Sequence, residues 1–303
     1  MTSLSDWVGG ARPRTLPAAI APVLVGSAVA YWEGAFQPGL AALALAVALA
    51  LQVGVNYAND YSDGVRGTDE VRVGPVRLVG QGLASPKSVK LAAFGSFAVA
   101  GVAGLWLTLV TGYWIFLPIG LLAVLSAWGY TGGKNPYGYL GLGEVFVFVW
   151  FGLAAVLGTA YAQTGHVTAF GIAMAVASGA FACALLVINN LRDIPSDTVA
   201  GKRTLAVRLG DLGTRKLYVA LVWTATVISI VISLLSVNDQ AAWPYYAAAG
   251  ALGGAYAIRP TTRVRAGASG RDLVIALAET GRAQVLWAVL TTLGVLLQKY
   301  LVG

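Results

Sequence analysis

Nine stretches of mostly apolar residues recur along this chain, and they limit its possible folds more than any other feature. A helix needs about 20 such residues to cross a hydrocarbon layer roughly 30 Å thick. Charged residues make up 11% of the 303 residues and hydrophobic residues 57%, whereas soluble domains carry about 25% charged residues. The sequence therefore predicts an all-α membrane protein, a bundle of about nine transmembrane helices in one domain, residues 1–303. The predicted spans are 15–33, 38–58, 88–109, 112–130, 144–163, 168–190, 214–236, 243–258 and 283–301, of which the eighth is the shortest and could instead be tilted or re-entrant.

Lysine and arginine are distributed very unevenly among the predicted loops. All of the 20 basic residues except Lys299 fall on one side of the predicted membrane. Because basic residues accumulate in cytoplasmic loops, we expect that side to face the cytoplasm and the protein to lie in the plasma membrane. The net charge of +7 is explained by this topology and by attraction to anionic membrane lipid. No basic helix or aromatic-rich module lies outside the spans, so nucleic acid is not expected as a partner.

Two clusters of carboxylates stand at predicted cytoplasmic helix ends. Asn56, Asp60 and Asp63 lie three or four residues apart and therefore share one face of the second span. Asn189, Asp193 and Asp197 end the sixth span in the same way, although Pro195 could break the helix between the two aspartates. The pattern of Asn followed four residues later by Asp thus occurs twice, which suggests two half-bundles that face each other across a cavity.

The residue types in these clusters suit a metal-bound diphosphate. Carboxylate and amide oxygens are ligands that Mg²⁺ prefers, usually together with substrate phosphates. Arginine can bind phosphate with two hydrogen bonds, and lysine supplies a point charge. Ordinary solvated ion pairs would explain one such cluster, but two matched clusters on the same side favour a site. The basic residues beside the clusters are Arg66, Arg72, Arg77, Arg192, Lys202 and Arg203.

"NDYSD" at 59–63 and "RDIPSD" at 192–197 resemble the paired aspartate motifs of the UbiA-type intramembrane aromatic prenyltransferases. The similarity extends from the N-terminus to about residue 216, and it is greatest to the branch of the family that prenylates 1,4-dihydroxy-2-naphthoate. The strings that carry it are "GARPRTLPAAIAPVLVG", "GVNYANDYSDGVRGTDE", "VGPVRLVGQGLASP", "YTGGKNPYGYLGLGE" and "NNLRDIPSDTVAGKRTLAVRLG".

The resemblance implies a helical bundle around a central cavity that cytoplasmic loops cap. It also implies that Asn56, Asp60 and Asp63 bind one Mg²⁺ and that Asp193 and Asp197 bind another, with a polyprenyl diphosphate bridging the two ions. The residues expected to bind substrate are Asn56, Arg77, Tyr130, Lys134, Asn189, Arg192 and Lys202. The family often has a third aspartate where this chain has Gly67, and the resemblance leaves open whether Asp69 replaces it.

The activity implied by the resemblance is transfer of a polyprenyl group to 1,4-dihydroxy-2-naphthoate, with loss of the carboxylate, to give demethylmenaquinone. Two alternatives stay open. One is a related prenyltransferase with another acceptor, such as 4-hydroxybenzoate. The other is an ion-coupled transporter, although transporters bind their ions near the middle of the bilayer and the acids here cluster at the helix ends.

Two single residues need a separate interpretation. Cys183 is the one cysteine of the chain and lies in an apolar run, so it is expected to be a buried packing residue rather than a nucleophile. His166 is the one histidine and falls in a short loop on the side opposite the clusters. We therefore expect it to have no role in binding metal or relaying protons.

Overall fold

The computed structural model describes residues 2–67, 76–133, 136–238 and 243–302, and these residues form helices joined by short loops. No β-strand occurs within those ranges, so the all-α prediction is confirmed. The α-helices are α1 Leu4–Gly10, α2 Pro17–Trp32, α3 Pro38–Val65, α4 Pro86–Thr111, α5 Phe116–Gly129, α6 Gly143–Val147, α7 Ala155–Thr164, α8 Ala169–Val199, α9 Leu205–Asn238, α10 Gly250–Tyr256, α11 Ile258–Arg265 and α12 Gly270–Val302.

The predicted count of nine spans is not confirmed. In the described part of the chain, six helices are long and apolar enough to cross a membrane, or seven if the bent pair α1–α2 forms one span. α5 is apolar but has only 14 residues. The eighth predicted span is a 3₁₀ helix, Tyr245–Ala249, followed by the seven residues of α10. Each of the nine predicted regions is nevertheless mostly helical in the described residues.

The helices that carry the carboxylate clusters are longer than a bilayer requires. α3 has 28 residues and α8 has 31, which correspond to lengths of about 42 and 46 Å at 1.5 Å per residue. A hydrocarbon layer is about 30 Å thick, so each helix is longer than the layer by about two to three turns. α8 continues through Pro195 as far as Val199, so the predicted break between Asp193 and Asp197 does not occur.

The N-terminal segment folds back toward the end of α3. The hydroxyl of Ser3 caps α1 and accepts a hydrogen bond from the backbone N–H of Asp6, whose carboxylate accepts one from the N–H of Ser3. A 3₁₀ turn, Pro13–Thr15, joins α1 to α2, and the segment Leu4–Thr15 is bent by 52° relative to α2. Arg12 begins this turn in the left-handed region, at φ 54°. The bend places the α1–α2 corner against the polar end of α3.

Close packing of small residues holds α8 against the segment between α6 and α7. That segment, Phe148–Ala154, is a π-helix, so the whole range Gly143–Thr164 is one continuous helical span. A Cβ atom built at Gly152 would lie 2.6 Å from the Cα atom of Gly179. Only glycine allows this approach, which is typical of helix packing in membranes. The wall formed by the π-helix is thereby fixed against the core of the bundle.

α5 packs much less tightly than its neighbours. None of its residues is buried, and Leu121 is 62% exposed. The largest core cluster instead joins side chains of α2, α7, α8, α9 and α12. One side of the bundle is therefore a thin apolar wall.

Two contacts mark the end of the bundle opposite the carboxylate clusters. The Nζ atom of Lys299 donates to the carbonyl of Trp32 at 3.1 Å, and Nε2 of His166 lies 3.6 Å from Glu33. The one basic residue that the sequence placed on that side, Lys299, is therefore found there.

Candidate functional site

A cavity of about 1080 Å³ lies between α2, α3, α5, the π-helix and α8. One end of the cavity is polar and the remainder is apolar. The polar residues that line it include Arg12, Asn56, Asn59, Asp63, Arg77, Tyr130, Thr131, Tyr139, Asn189, Asn190, Asp197 and Lys202. Seven of the eleven residues predicted to form the site line this cavity in the structure: Asn56, Asp63, Arg77, Tyr130, Asn189, Asp197 and Lys202.

Asn56 joins the cavity to the α1–α2 corner. Its amide Nδ2 atom donates to the carbonyl of Ala11 at 2.8 Å and to Oγ1 of Thr15 at 3.1 Å. Its Oδ1 atom accepts from Nε2 of Gln52 at 3.3 Å. The side chain is buried, and these bonds fix its orientation within the wall.

Asp60 is fully buried and binds backbone. Its two carboxylate oxygens accept hydrogen bonds from the N–H groups of Leu78 and Val79, at 2.8 and 3.0 Å. The two bonds hold the segment that precedes α4 against α3. Arg77, the residue directly before Leu78, is buried and lines the cavity. Asp60 therefore positions a cationic residue at the cavity wall.

Asp63 lies one turn further along α3 and faces the cavity. Its Oδ1 atom accepts hydrogen bonds from the hydroxyl of Tyr139 at 2.5 Å and from Nζ of Lys202 at 3.1 Å. The Lys202 ammonium group also lies 4.5 Å from the centre of the Tyr139 ring. Burial, together with the charge of Asp63, raises the pKa of Tyr139, so the phenol keeps its proton and remains a donor at neutral pH.

The second cluster occupies the last turns of α8. Asn189 and Asp197 line the cavity, whereas Asp193 accepts two hydrogen bonds from the neighbouring Arg192, at 2.8 and 2.9 Å. Both side chains of that pair are almost completely buried. The backbone N–H of Lys202 donates to the carbonyl of Asp197 at 2.8 Å. This bond turns the chain after α8 so that Lys202 points back toward Asp63.

The loop after α5 closes the polar end. Tyr130 and Thr131 line the cavity, and Arg66 at the end of α3 donates to the carbonyl groups of Thr131 and Gly133. Lys134, which was predicted to bind substrate, lies outside the described residues, as do Asp69 and Arg72.

A buried carboxylate lies behind this end of the cavity. Glu144, near the start of α6, accepts a hydrogen bond from Nδ2 of Asn190 at 3.1 Å. Its backbone carbonyl accepts one from Sγ of Cys183, also at 3.1 Å. Cys183 is buried, as its apolar surroundings predicted.

Sequence analysis missed several polar residues of the wall, among them Arg12, Asn59, Thr131, Tyr139 and Asn190. Asn59 and Asn190 each stand beside a predicted ligand, so their position in the motif was a usable signal. Arg12, Thr131 and Tyr139 belong to loops and short turns whose course depends on tertiary contacts, and no local pattern indicates that they reach the cavity.

The donor set can accept a hard divalent cation. Within the described ranges, no group of three or more His, Cys, Asp or Glu side chains forms a complete metal site. Asp63 and Asp197 nevertheless face the same cavity, together with the amide groups of Asn56, Asn59 and Asn189. Mg²⁺ is usually bound by one or two carboxylates plus substrate phosphates, so this oxygen-rich wall fits an ion that arrives with a phosphorylated ligand.

The rest of the cavity is apolar and long. The π-helix contributes Val149, Trp150 and Leu153, and α5 contributes Leu117, Leu121 and Val124. π-helical turns are rare and often occur at functional sites. The cavity thus joins a charged end to a hydrocarbon-like channel, a shape that suits a ligand with a diphosphate head and a long apolar tail.

Comparisons with known proteins agree with this arrangement. The model of the UbiA prenyltransferase family matches residues 19–277. A protein of Mycobacterium tuberculosis named 1,4-dihydroxy-2-naphthoate octaprenyltransferase is 52% identical over 95% of this chain and 96% of its own length. A protein of the same name from Escherichia coli is 39% identical over 80% of this chain and 81% of its own length.

Solved structures share the fold at low sequence identity. An apo UbiA homologue from Aeropyrum pernix superimposes with a TM-score of 0.69 at 16% identity, over 93% of this chain and 98% of the other. A UbiA homologue from Archaeoglobus fulgidus bound to GPP and Mg²⁺ gives a TM-score of 0.65, also at 16% identity, over 96% of this chain and 99% of the other.

Proposed function

Because this chain belongs to the UbiA prenyltransferase family, we propose that it transfers a polyprenyl group from a polyprenyl diphosphate to 1,4-dihydroxy-2-naphthoate. The observation that carries the proposal is a cavity whose charged end, with Asp63, Asp197 and Lys202, continues into an apolar channel. The names of the relatives from Mycobacterium tuberculosis and Escherichia coli support the choice of acceptor. The direct product would be demethylmenaquinol, the reduced form of demethylmenaquinone, formed with release of diphosphate and carbon dioxide.

In this reaction the allylic carbon–oxygen bond breaks and the diphosphate leaves with the electron pair. Cationic side chains stabilise the negative charge that develops on the leaving group. Arg77 and Lys202 line the charged end of the cavity, and both are buried, so their interactions with a diphosphate are only weakly screened by water. Arg12 lines the same end, and Lys134 keeps its predicted role in binding substrate.

Mg²⁺ bound with the diphosphate would add positive charge at the leaving group. We assign its protein ligands to Asp63 and Asp197, because these two carboxylates face the cavity, supported by the amide oxygens of Asn56 and Asn189. Asp60 and Asp193 are assigned a different task. Each is buried and accepts two hydrogen bonds, Asp60 from the backbone before α4 and Asp193 from Arg192, so each supports the wall that presents the ligands.

The apolar channel would hold the prenyl chain and exclude water from the allylic cation, which water would otherwise capture. Trp150 and Phe151 of the π-helix line it, and aromatic faces attract cations. The electron-rich ring of the acceptor then attacks the cation, a new carbon–carbon bond forms, and the attacked carbon loses its carboxylate as carbon dioxide.

We place the protein in the plasma membrane with this site facing the cytoplasm. The distribution of basic residues supports the orientation, because all of them except Lys299 lie on the side of the predicted membrane that carries both carboxylate clusters. Both substrates would then reach the site from the cytoplasm or from the inner leaflet.

The proposal is tested with purified protein in lipid nanodiscs, Mg²⁺ and a labelled polyprenyl diphosphate. We expect a prenylated product without the carboxylate when 1,4-dihydroxy-2-naphthoate is present, and little product with 4-hydroxybenzoate. Faster reaction with 4-hydroxybenzoate would favour the related activity, and no product with any aromatic acceptor would overturn the assignment.

A further inference from the structure

A second groove, of about 530 Å³, lies on the outside of the bundle between the start of α2, α10 and α12. It shares no lining residue with the large cavity. Its lining combines two arginines, Arg14 and Arg282, with an otherwise mostly apolar surface. The other residues that line it are Pro17, Tyr256, Ala278, Gly281, Val285, Leu286 and Val289.

The groove lies at the predicted edge of the hydrocarbon layer. Arg282 and Lys299 are both on α12, and their separation of 17 positions corresponds to about 26 Å along the helix axis. That distance is close to the thickness of a hydrocarbon layer, about 30 Å. Lys299 contacts Trp32 at the opposite end of the bundle, so Arg282 lies at the level where phospholipid headgroups meet the acyl chains.

The two arginines are available to a ligand. Both are exposed, and in the described part of the chain neither forms an ion pair. Nearby arginines differ in this respect, since Arg263 lies 3.3 Å from Glu279 and Arg215 lies 2.6 Å from Asp211. Two guanidinium groups that line one groove, with no carboxylate among the lining residues, attract an anion such as a phosphate.

The apolar part of the groove continues from the charged part along one face of α12. Val285, Leu286 and Val289 follow Arg282 at the third, fourth and seventh positions, which places them on the same face in the next two turns. The backbone of Arg14 and the ring of Pro17 pack close to Gly281, where an added Cβ atom would lie 3.5–3.6 Å from them. The groove therefore offers cations at headgroup level and hydrocarbon contacts deeper in the membrane.

We propose that this groove binds an anionic phospholipid, with its phosphate on Arg14 and Arg282 and an acyl chain along α12. Basic pockets between membrane helices are typical sites for anionic headgroups. Such a lipid would join the start of α2 to α12. It would thereby stabilise the α1–α2 corner, where Arg12, two residues before Arg14, lines the large cavity.

The test uses the full chain in a mild detergent, with phosphatidylglycerol or phosphatidylcholine added, and it counts bound lipids by native mass spectrometry. We expect the wild type to retain phosphatidylglycerol in preference to phosphatidylcholine and to unfold at a higher temperature with it. Each arginine near the membrane surface contributes about 1 kcal/mol, so the R14Q/R282Q double variant should bind phosphatidylglycerol about 30-fold more weakly.

Two controls keep the proposal testable. Arg271→Gln removes an exposed arginine that does not line the groove and should leave lipid binding unchanged. Val289→Trp keeps both arginines but fills the apolar part, and it should also weaken binding. Equal binding of the two lipids, wild-type binding by both groove variants, or equal protection by inorganic phosphate or diphosphate alone would overturn the proposal.

Discussion

The ammonium group of Lys202 lies 3.1 Å from a carboxylate oxygen of Asp63, although 139 residues separate the two in the sequence. Both side chains are almost completely buried. The pair joins the loop after α8 to the end of α3, and it therefore brings the two predicted clusters to one end of the same cavity. Removing one partner of a buried charge pair leaves the other charge buried and unpaired, which lowers the stability of the fold. Substitutions of Asp63 or Lys202 should therefore affect both folding and turnover. Substitutions of other residues of the site therefore give clearer tests of its function.

Asp197→Asn tests the carboxylate that lines the cavity from the α8 side. The substitution keeps the size of the side chain and one oxygen but removes the charge that binds a cation. We expect the rate of prenyl transfer at saturating substrates to fall about 100-fold, equivalent to about 3 kcal/mol of transition-state stabilisation. The matched control is Asp211→Asn, because Asp211 is 63% exposed and pairs only with Arg215 among the described residues. Equal damage in the control would contradict a catalytic role for Asp197.

Asp60→Asn should act through the backbone. Asparagine offers one acceptor oxygen where aspartate offers two, so the N–H of Leu78 or of Val79 loses its partner. An unsatisfied buried N–H lowers the free energy of unfolding by about 1–3 kcal/mol. Hydrogen exchange of the peptide covering residues 76–84 should become faster in this variant but not in Asp193→Asn. Unchanged exchange, with turnover lost, would instead indicate that Asp60 binds the metal directly.

Tyr139→Phe removes the hydroxyl that donates to Asp63 and leaves Lys202 in place. A hydrogen bond to a charged group contributes about 1.5–3 kcal/mol, so we expect roughly a tenfold or greater loss of turnover and a lower unfolding temperature. The pKa of Tyr139 is raised, so the stability that its proton provides is present below about pH 10 and is lost as the pH rises further. The difference in stability between wild type and variant should therefore be constant from neutral pH to about pH 9 and decrease at higher pH. A difference that decreases between pH 6 and 8 would exclude this explanation.

Metal dependence is expected because Asp63 and Asp197 line the same cavity. Prenyl transfer should stop in EDTA and return when excess Mg²⁺ is added. The Asp197→Asn variant should require more Mg²⁺ than the wild type for half-maximal rate, since one charged ligand is missing. Full turnover in metal-free buffer would show that the reaction does not require Mg²⁺.

Membrane orientation can be tested by placing single cysteines in the loops at the two ends of the bundle. Exposed residues other than glycine are the best positions for them. Gly165 and Gly201 both have positive φ, and a Cβ atom at Gly165 would lie 2.5 Å from the hydroxyl of Tyr113, so cysteine there would be strained. Val199 is 90% exposed at the site end, and His166 is exposed at the opposite end. In a Cys183→Ala background, an impermeant thiol reagent should label Val199→Cys only from the cytoplasmic side and His166→Cys only from outside. The reverse pattern would invert the topology.

Sequence reasoning identified the helices and the polar end of the cavity because both depend on local patterns. Apolar runs indicated the spans, and the spacing of Asn56, Asp60 and Asp63 placed them on one face of a helix. The same spacing did not indicate that Asp60 and Asp63 make different contacts, because it places both on the same face of the helix. Tertiary structure makes them different. The backbone N–H groups of Leu78 and Val79 donate to Asp60, whereas the side chains of Tyr139 and Lys202 donate to Asp63.

The number of spans was harder to predict for a related reason. Hydropathy measures how apolar a segment is, and both α5 and the 243–258 region are apolar. It does not measure whether the segment forms one helix long enough to cross. Within 243–258, Gly250, Gly253 and Gly254 allow close contacts with Trp287 and Thr226, so the chain there packs as two short helices against α9 and α12.

The thin wall at α5 affects which lengths of prenyl chain this protein can accept. A molecular ruler needs a closed end against which a chain of the correct length stops. Leu117, Ile119 and Leu121 of α5 line the cavity, and no residue of α5 is buried, so the described wall along α5 is a single, loosely packed helix. A tail longer than the cavity would continue among lipid acyl chains at little cost in free energy. The length of the quinone side chain would then be set by whichever enzyme synthesises the diphosphate.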